Sequence, residues 1–138
     1  MVFEKDLKNF NLLSPLKRNQ TTQEYVDKLI HFSYDNREDI LRDLQDEINE
    51  LDEEMKKQDK SKNNKQRVFE ELGDVLFVLG NLANRYNIDC EKALTYSIDE
   101  YERRMIFCEE NYKGDITKID KQTMIKLWKK AKSKNCSK

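Results

Sequence analysis

The sequence predicts an all-α helical bundle, and three observations carry that expectation. Only three Gly and one Pro occur in 138 residues, too few for the turns that sheets require, since turns draw on Gly, Pro, Asn and Asp. Charged residues make up 38% of the chain, well above the roughly 25% of ordinary globular domains. Long segments carry apolar residues at a 3.6-residue period. With 37% hydrophobic residues, a monomer of this length buries a modest core, so the bundle is expected to be completed by dimerisation.

Composition also excludes functions. The balance of 26 basic and 27 acidic residues, net charge -1, leaves no positive field to gather phosphates, and no nucleic-acid partner is expected. No apolar run approaches the roughly 18 residues of a membrane span. The opening MVFEKDLKNF lacks the apolar segment of a secretory signal. Cys90, Cys108 and Cys136 are widely spaced and match neither a metal motif nor a disulfide framework, so a reducing cytoplasm is the expected setting.

The elements follow in order. Residues 1–19 have weak periodicity, and Pro15 biases Ser14 away from helix, so a lead-in with at most a short helix is expected. From Thr21 to Phe32, the residues Tyr25, Val26, Leu29, Ile30 and Phe32 sit at helical spacing, and Tyr34, Asp35 and Asn36 break the pattern and offer N-caps. A strong helix spans about Arg37 to Lys57 on the stripe Ile40, Leu41, Leu44, Ile48, Leu51 and Met55. Lys56 through Lys65 is polar and unpatterned and reads as a loop. A second strong helix runs from about Gln66 to Tyr86, punctuated by Asn87 and Asp89, with Asp89 capping a third helix to about Asn111. Gly114 and Asp115 end that helix, Asp120 opens a short last one through Trp128, and the basic tail frays. No internal repeat is present.

The second strong helix is the informative one. Its run LGDVLFVLGNLA, Leu72 to Ala83, is apolar nearly all round, which marks a helix buried on several sides. Asp74 and Asn81 interrupt it and lie within about 20° of each other, with Glu71 one turn before Asp74. A carboxylate on a buried helix demands a partner, a proton or a metal; an ion pair with a Lys or Arg of another helix is the plainer alternative. On the preceding helix, Asp43, Glu47, Glu50 and Glu54 form one acidic strip beside the apolar stripe. Such a strip is usually solvated, yet Glu53–Lys57 is its clearest i,i+4 compensation. Setting Glu47 and Glu50 against Glu71 and Asp74 in an antiparallel helix pair would collect four hard oxygen donors suited to Mg²⁺ or Mn²⁺.

These stretches carry a family resemblance. DLQDEINELDEEM, then RVFEELGDVLFVLGNLANRYNID and EKALTYSIDEYERRM, together resemble the MazG family of nucleoside triphosphate pyrophosphohydrolases. Within it the chain is similar to the second, C-terminal catalytic repeat of the two-repeat bacterial enzymes. The pattern E-x-x-E…E-x-x-D, the E-L-G-D-V-L-F continuation, N-L-A-x-x-x-x-I and the later E-R-R align over about residues 20–112, and Phe32–Tyr34 resembles a short aromatic motif ahead of the first acidic helix. The chain is thus expected to divide into a lead-in over 1–19, a catalytic domain over 20–132 and a basic tail over 133–138, and the resemblance implies that the domain is all-α and acts as a dimer. It implies hydrolysis of a nucleoside triphosphate to monophosphate and pyrophosphate, with Mg²⁺ held by Glu47, Glu50, Glu71 and Asp74 and Mn²⁺ as an alternative ion. Asp46, Glu54 and Glu70 stand as alternatives for handling the attacking water. Substrate contacts are implied at Arg67, Asn81, Arg104, Trp128 and Lys132, with Trp128 stacking on the base. Asp43 and Glu100 depart from the pattern, standing where fuller enzymes carry Lys.

Other candidates have structural expectations. His31 is the single histidine and has no nucleophile at a supporting spacing. Cys90 and Cys108 are expected to pack on apolar faces, and the tail lysines to solubilise. No G-x-x-x-x-G-K-[ST] loop occurs. Two further readings stand beside the general pyrophosphohydrolase: a pyrimidine-specific dUTPase- or dCTPase-like enzyme of the same superfold, and a non-catalytic helical interaction module.

Overall fold

The computed structural model describes residues 2–57 and 62–134. Among them are α1 (Val2–Leu7), α2 (Pro15–Ile30), α3 (Arg37–Lys56), α4 (Lys62–Arg85), α5 (Cys90–Glu110) and α6 (Lys121–Lys134), with 3₁₀ turns at Lys8–Phe10 and Ile116–Lys118. No strand occurs among the described residues, and the all-α expectation holds. The chain divides into two compact units, residues 1–91 and 92–138.

Helix ends follow local chemistry. Ser14 is extended, with ψ 153°, and Pro15 opens α2, because a proline at the first helical position surrenders an N–H that has no intrahelical partner anyway. This corrects the expected start at Thr21. His31 closes α2 in the left-handed region, φ 54°, its N–H donating to the Asp27 carbonyl. Asn36 caps α3 by accepting from the Asp39 N–H at 2.9 Å. Asn87, at φ 56°, turns the chain between α4 and α5.

In the first unit, α3 and α4 form an antiparallel hairpin. Asn64 Nδ2 donates to the Glu54 carbonyl at 2.9 Å near one end. At the other, Arg85 donates to the carbonyls of Tyr34 at 3.2 Å and Asp35 at 3.3 Å. The expected Lys56–Lys65 loop is therefore shorter: α3 ends at Lys56 and α4 begins at Lys62, while residues 58–61 lie outside the described ones. Ile40 and Val78 are buried between the elements of this unit, at 0% and 3% exposure.

Helix α2 lies on α4 through side-chain amides. Gln20 Nε2 donates to Asn84 Oδ1 at 3.0 Å, Asn84 Nδ2 returns a bond to the Gln20 carbonyl at 2.9 Å, and Gln20 Oε1 accepts from the Cys90 N–H at 2.8 Å. Asn19 and Gln23 both donate to the Phe77 carbonyl, at 3.2 and 3.0 Å. Buried Gly80 allows this approach, since a Cβ there would clash with the Asn19 amide. Coverage by α2 and α3 leaves part of α4 open. Leu72, Leu76 and Phe77 are 48%, 48% and 53% exposed, which corrects the expectation that α4 is buried on several sides of the single chain.

The second unit is organised by α6 and the length of α5 beyond Glu91. Cys108, Leu127 and Ala131 form its core, with Phe107, Tyr112, Met124 and Trp128 packed against them. Asp120 caps α6, accepting from the Thr123 N–H at 2.9 Å. The helix does not stop at Trp128 but continues to Lys134, because Ala131, one turn past Leu127, is still part of the core. Cys136 and the rest of the tail from residue 135 lie outside the described residues.

Candidate metal centre

Pairing of α3 with α4 sets their acidic strips face to face. One carboxylate oxygen from each of Glu47, Glu71 and Asp74 lies within 4.8 Å of the other two. Glu50, one turn further along α3, comes within hydrogen-bonding reach of both Glu47 and Glu71. Glu54 follows on the same strip, and its charge acts on Glu71. Lys57 pairs with Glu54 at 2.8 Å, not with Glu53 as the i,i+4 spacing suggested, while Lys56 pairs with Asp52 at 2.8 Å.

The electrostatics are those of a site short of positive charge. Among the described residues, no Lys or Arg pairs with Glu47, Glu50, Glu71 or Asp74. Desolvation pushes Glu47 up to about 7, helped by the charges of Glu50, Asp74 and Asp43. Desolvation and then the Glu50 charge raise Glu71 as well. The Oε2 atoms of Glu47, Glu54 and Glu71 are buried without a hydrogen-bond partner. Orphaned carboxylate oxygens in such surroundings are strongly unfavourable until a proton or a cation meets them. The donors are all hard oxygens, so the residues present fit Mg²⁺ or Mn²⁺. Asp74 itself is exposed. This corrects the premise that its own burial demanded compensation: Asp74 stands at the open edge of the α3–α4 seam, and the desolvation falls on Glu47 and Glu71.

The remaining predicted site residues distribute as follows. Arg67 is exposed, one turn before Glu71 on α4. Asn81 is half-buried, and its Nδ2 donates to Gln23 Oε1 of α2 at 2.8 Å. Arg104, Trp128 and Lys132 belong to the second unit. There the Arg104 guanidinium lies 5.7 Å from the Trp128 ring centroid and 3.5 Å from a Glu100 oxygen, with its Nε buried and unpartnered. Trp128 also meets Tyr101, ring centroids 5.5 Å apart, and Lys132 is exposed one turn on. Of the three acids weighed for the water, Asp46 is exposed, Glu70 is exposed and takes a bond from Gln66 at 3.2 Å, and Glu54 alone turns a buried oxygen toward no partner. Of the two departures, Asp43 accepts from the Tyr34 phenol, and Glu100 pairs with both Arg103 and Arg104.

Sequence reasoning missed the amide ladder of Asn19, Gln20 and Gln23 against Asn81 and Asn84, and the bond from Tyr34 to Asp43. The signal for the ladder was legible as amides at i,i+3 and i,i+4 on two helices, one of them otherwise apolar. The Tyr34 bond crosses from a link to a helix and had no periodic signal.

Two comparisons with known proteins bear on this geometry. A family model described as the MazG nucleotide pyrophosphohydrolase domain matches residues 35–108, a span holding all four carboxylates. Uncharacterized protein YabN of Bacillus subtilis (strain 168) is 40% identical over 65 residues, 45% of this chain and 13% of that protein. The match thus covers a small part of the curated relative.

Proposed function

The chain belongs to the MazG nucleotide pyrophosphohydrolase domain family, and from that membership we propose that it hydrolyses nucleoside triphosphates to monophosphate and pyrophosphate with a divalent cation, Mg²⁺ or Mn²⁺. The observation that carries the reading is the set of Glu47, Glu71 and Asp74 oxygens within 4.8 Å, two of these residues bearing orphaned, desolvated oxygens, inside the family-matched span.

Glu47, Glu50, Glu71 and Asp74 would hold the cation, which when bound neutralises and orients the triphosphate. The chain's residues supply the rest. Glu54, fixed through one oxygen by Lys57, offers its other oxygen to a water and takes the proton that water loses as its oxygen bonds the α-phosphorus. The bridging P–O bond breaks, and its electron pair leaves with pyrophosphate. Arg67 and Asn81 are the proposed substrate contacts in the first unit; in the second, Arg104, whose guanidinium lies over the Trp128 ring, Trp128 and Lys132 occupy the positions that the family pattern assigns to substrate.

A homodimer in a cytoplasmic setting completes the proposal. The dimer is supported by exposed apolar residues at helical spacing, Leu41 and Ile48 seven apart on α3 and Phe69, Leu72, Leu76 and Leu79 three or four apart on α4. The setting is supported by Cys90 and Cys108, which are free thiols. No helix among the described residues is long and apolar enough to cross a membrane.

The test is a panel of ribo- and deoxyribonucleoside triphosphates with Mg²⁺ or Mn²⁺, read by pyrophosphate release. Wild-type protein is expected to be active, and Glu71→Gln or Asp74→Asn to lower turnover by about a hundredfold or more, in the range reported for loss of key electrostatic groups, with helicity unchanged. No pyrophosphate with either cation would sink the proposal. Turnover on dUTP and dCTP against purine triphosphates separates a general enzyme from a pyrimidine-specific one.

A further inference from the structure

The whole-chain balance of 26 basic and 27 acidic residues does not hold unit by unit. Residues 92–138 carry 12 Lys and Arg against 7 Asp and Glu, and residues 1–91 carry 14 against 20. The expectation of no nucleic-acid partner rests on the sum, but the positive excess is gathered on one element. Helix α6 holds Lys121, Lys126, Lys129, Lys130, Lys132 and Lys134 and no acid. We propose that the exposed basic face of α6, with the Tyr101 ring at its border, binds single-stranded nucleic acid.

Packing decides which way these lysines face. Leu127 and Ala131 are buried with Cys108, at 8% and 1% exposure. At 3.6 residues per turn, Lys132, Lys129, Lys126 and Lys130 then fan across about 160° of the opposite side. All four are exposed, and none pairs with an acid among the described residues. Neighbours three and four apart, such as Lys126 with Lys129 and Lys130, stand about 5–6 Å apart at Cβ, where like charges repel. A run of phosphates relieves that repulsion, and the counter-ions it releases favour binding.

The surroundings select the partner among polyanions. A lipid surface is entered by an apolar helix face, and the apolar face of α6 is buried in the core. An acidic peptide would use the lysines but not the ring beside them. Tyr101 of α5 is 56% exposed and lies against Trp128, ring centroids 5.5 Å apart. Trp128 stands about 40° from Lys132 around α6, so an exposed aromatic ring borders the lysine face. Basic groups that track a backbone, beside a ring that stacks a base, are what single strands bind; a duplex keeps its base faces inside. This surface lies in the second unit and uses none of the carboxylates of the first, so its test needs no turnover.

Fluorescence anisotropy on the full chain tests the proposal. The probes are labelled poly-uridylate and poly-thymidylate strands of about 20 nucleotides, longer than the roughly 4–16 of common single-strand sites, and a duplex of equal length. Polyglutamate and phosphatidylserine vesicles are the rival polyanions. Wild type is expected to bind the strands at low salt, log K falling against log salt with a slope of about −2 to −3, the value for three or four phosphates. Lys126→Glu/Lys129→Glu/Lys130→Glu is expected to weaken binding about tenfold or more, and Tyr101→Leu about fivefold. Lys5→Glu/Lys8→Glu/Lys28→Glu, the same charge change in the first unit, should stay within about twofold of wild type. Binding of either strand supports the proposal, and a preference between them names RNA or DNA as the source. The proposal is overturned if wild type binds neither strand, if the first-unit variant loses as much as the α6 variant, or if Tyr101→Leu binds as wild type does. It is equally overturned if the duplex, polyglutamate or the vesicles are bound as tightly as the strands. Lys126→Gln/Lys129→Gln/Lys130→Gln takes the place of the charge reversal should that variant fail to fold by thermal melting.

Discussion

Glu47 is the residue through which the acidic centre registers in the stability of the protein. Its carboxyl is raised from 4.5 to about 7, so the folded state favours the protonated form. That protonation contributes stability which is fully present below about 4.5 and is lost as pH rises through about 7. Metal-free protein is therefore expected to melt at lower temperature at pH 8 than at pH 5.5 on this account. Glu47→Gln should raise the pH 8 melting temperature by about 3 °C and leave the pH 5 value nearly unchanged, measured by calorimetry with a chelator present. Mg²⁺ should stabilise wild type more at pH 8 than at pH 5.5, because binding must displace the proton below about 7. Equal Mg²⁺ stabilisation at both values, or none, would count against these carboxylates as ligands. The acids themselves were legible as two facing strips. Which of them bears the desolvation was not, since exposure at Asp74 and burial at Glu47 depend on how far α3 covers the seam.

At the scale of elements, the contact of α2 with α4 rests on a glycine and a row of amides. Gly80→Ala would push into Asn19 and displace the bonds it donates to the carbonyls of Leu76 and Phe77. A loss of about 1–2 kcal/mol is expected, and the double variant Asn19→Ala/Gly80→Ala should lose less than the sum of the singles, read by urea unfolding. At the start of α6, Asp120→Ala removes the oxygens that hold the Thr123 N–H and hydroxyl and should destabilise by about 1 kcal/mol. Helices announced themselves through period and caps, and the antiparallel pairing of α3 with α4 was expected from their acidic strips. Ends set by tertiary contact were misjudged: α6 extends because Ala131 packs, and α4 starts early where Asn64 ties back to α3.

For the molecule as a whole, the scarcity of apolar residues and their exposure tell one story. Leu41, Ile48 and Met55 are 42%, 42% and 61% exposed on α3, matched by Leu72, Leu76 and Leu79 on α4. The proposed homodimer would cover this water-facing apolar surface. Sedimentation analysis is expected to find a dimer, and Leu79→Glu to shift it toward monomer; a wild-type monomer at micromolar concentration would refute the homodimer.

By itself, the sequence determined the all-α class, the order of the long helices and the two acidic strips, because all three rest on periodicity and composition, which are local properties. Only the tertiary structure decided that Glu47 and Glu71 carry orphaned oxygens, that Tyr34 holds Asp43, and that amides of α2 and α4 bond to one another. Those features arise between elements distant in sequence, where burial and distance, not residue type, set the chemistry.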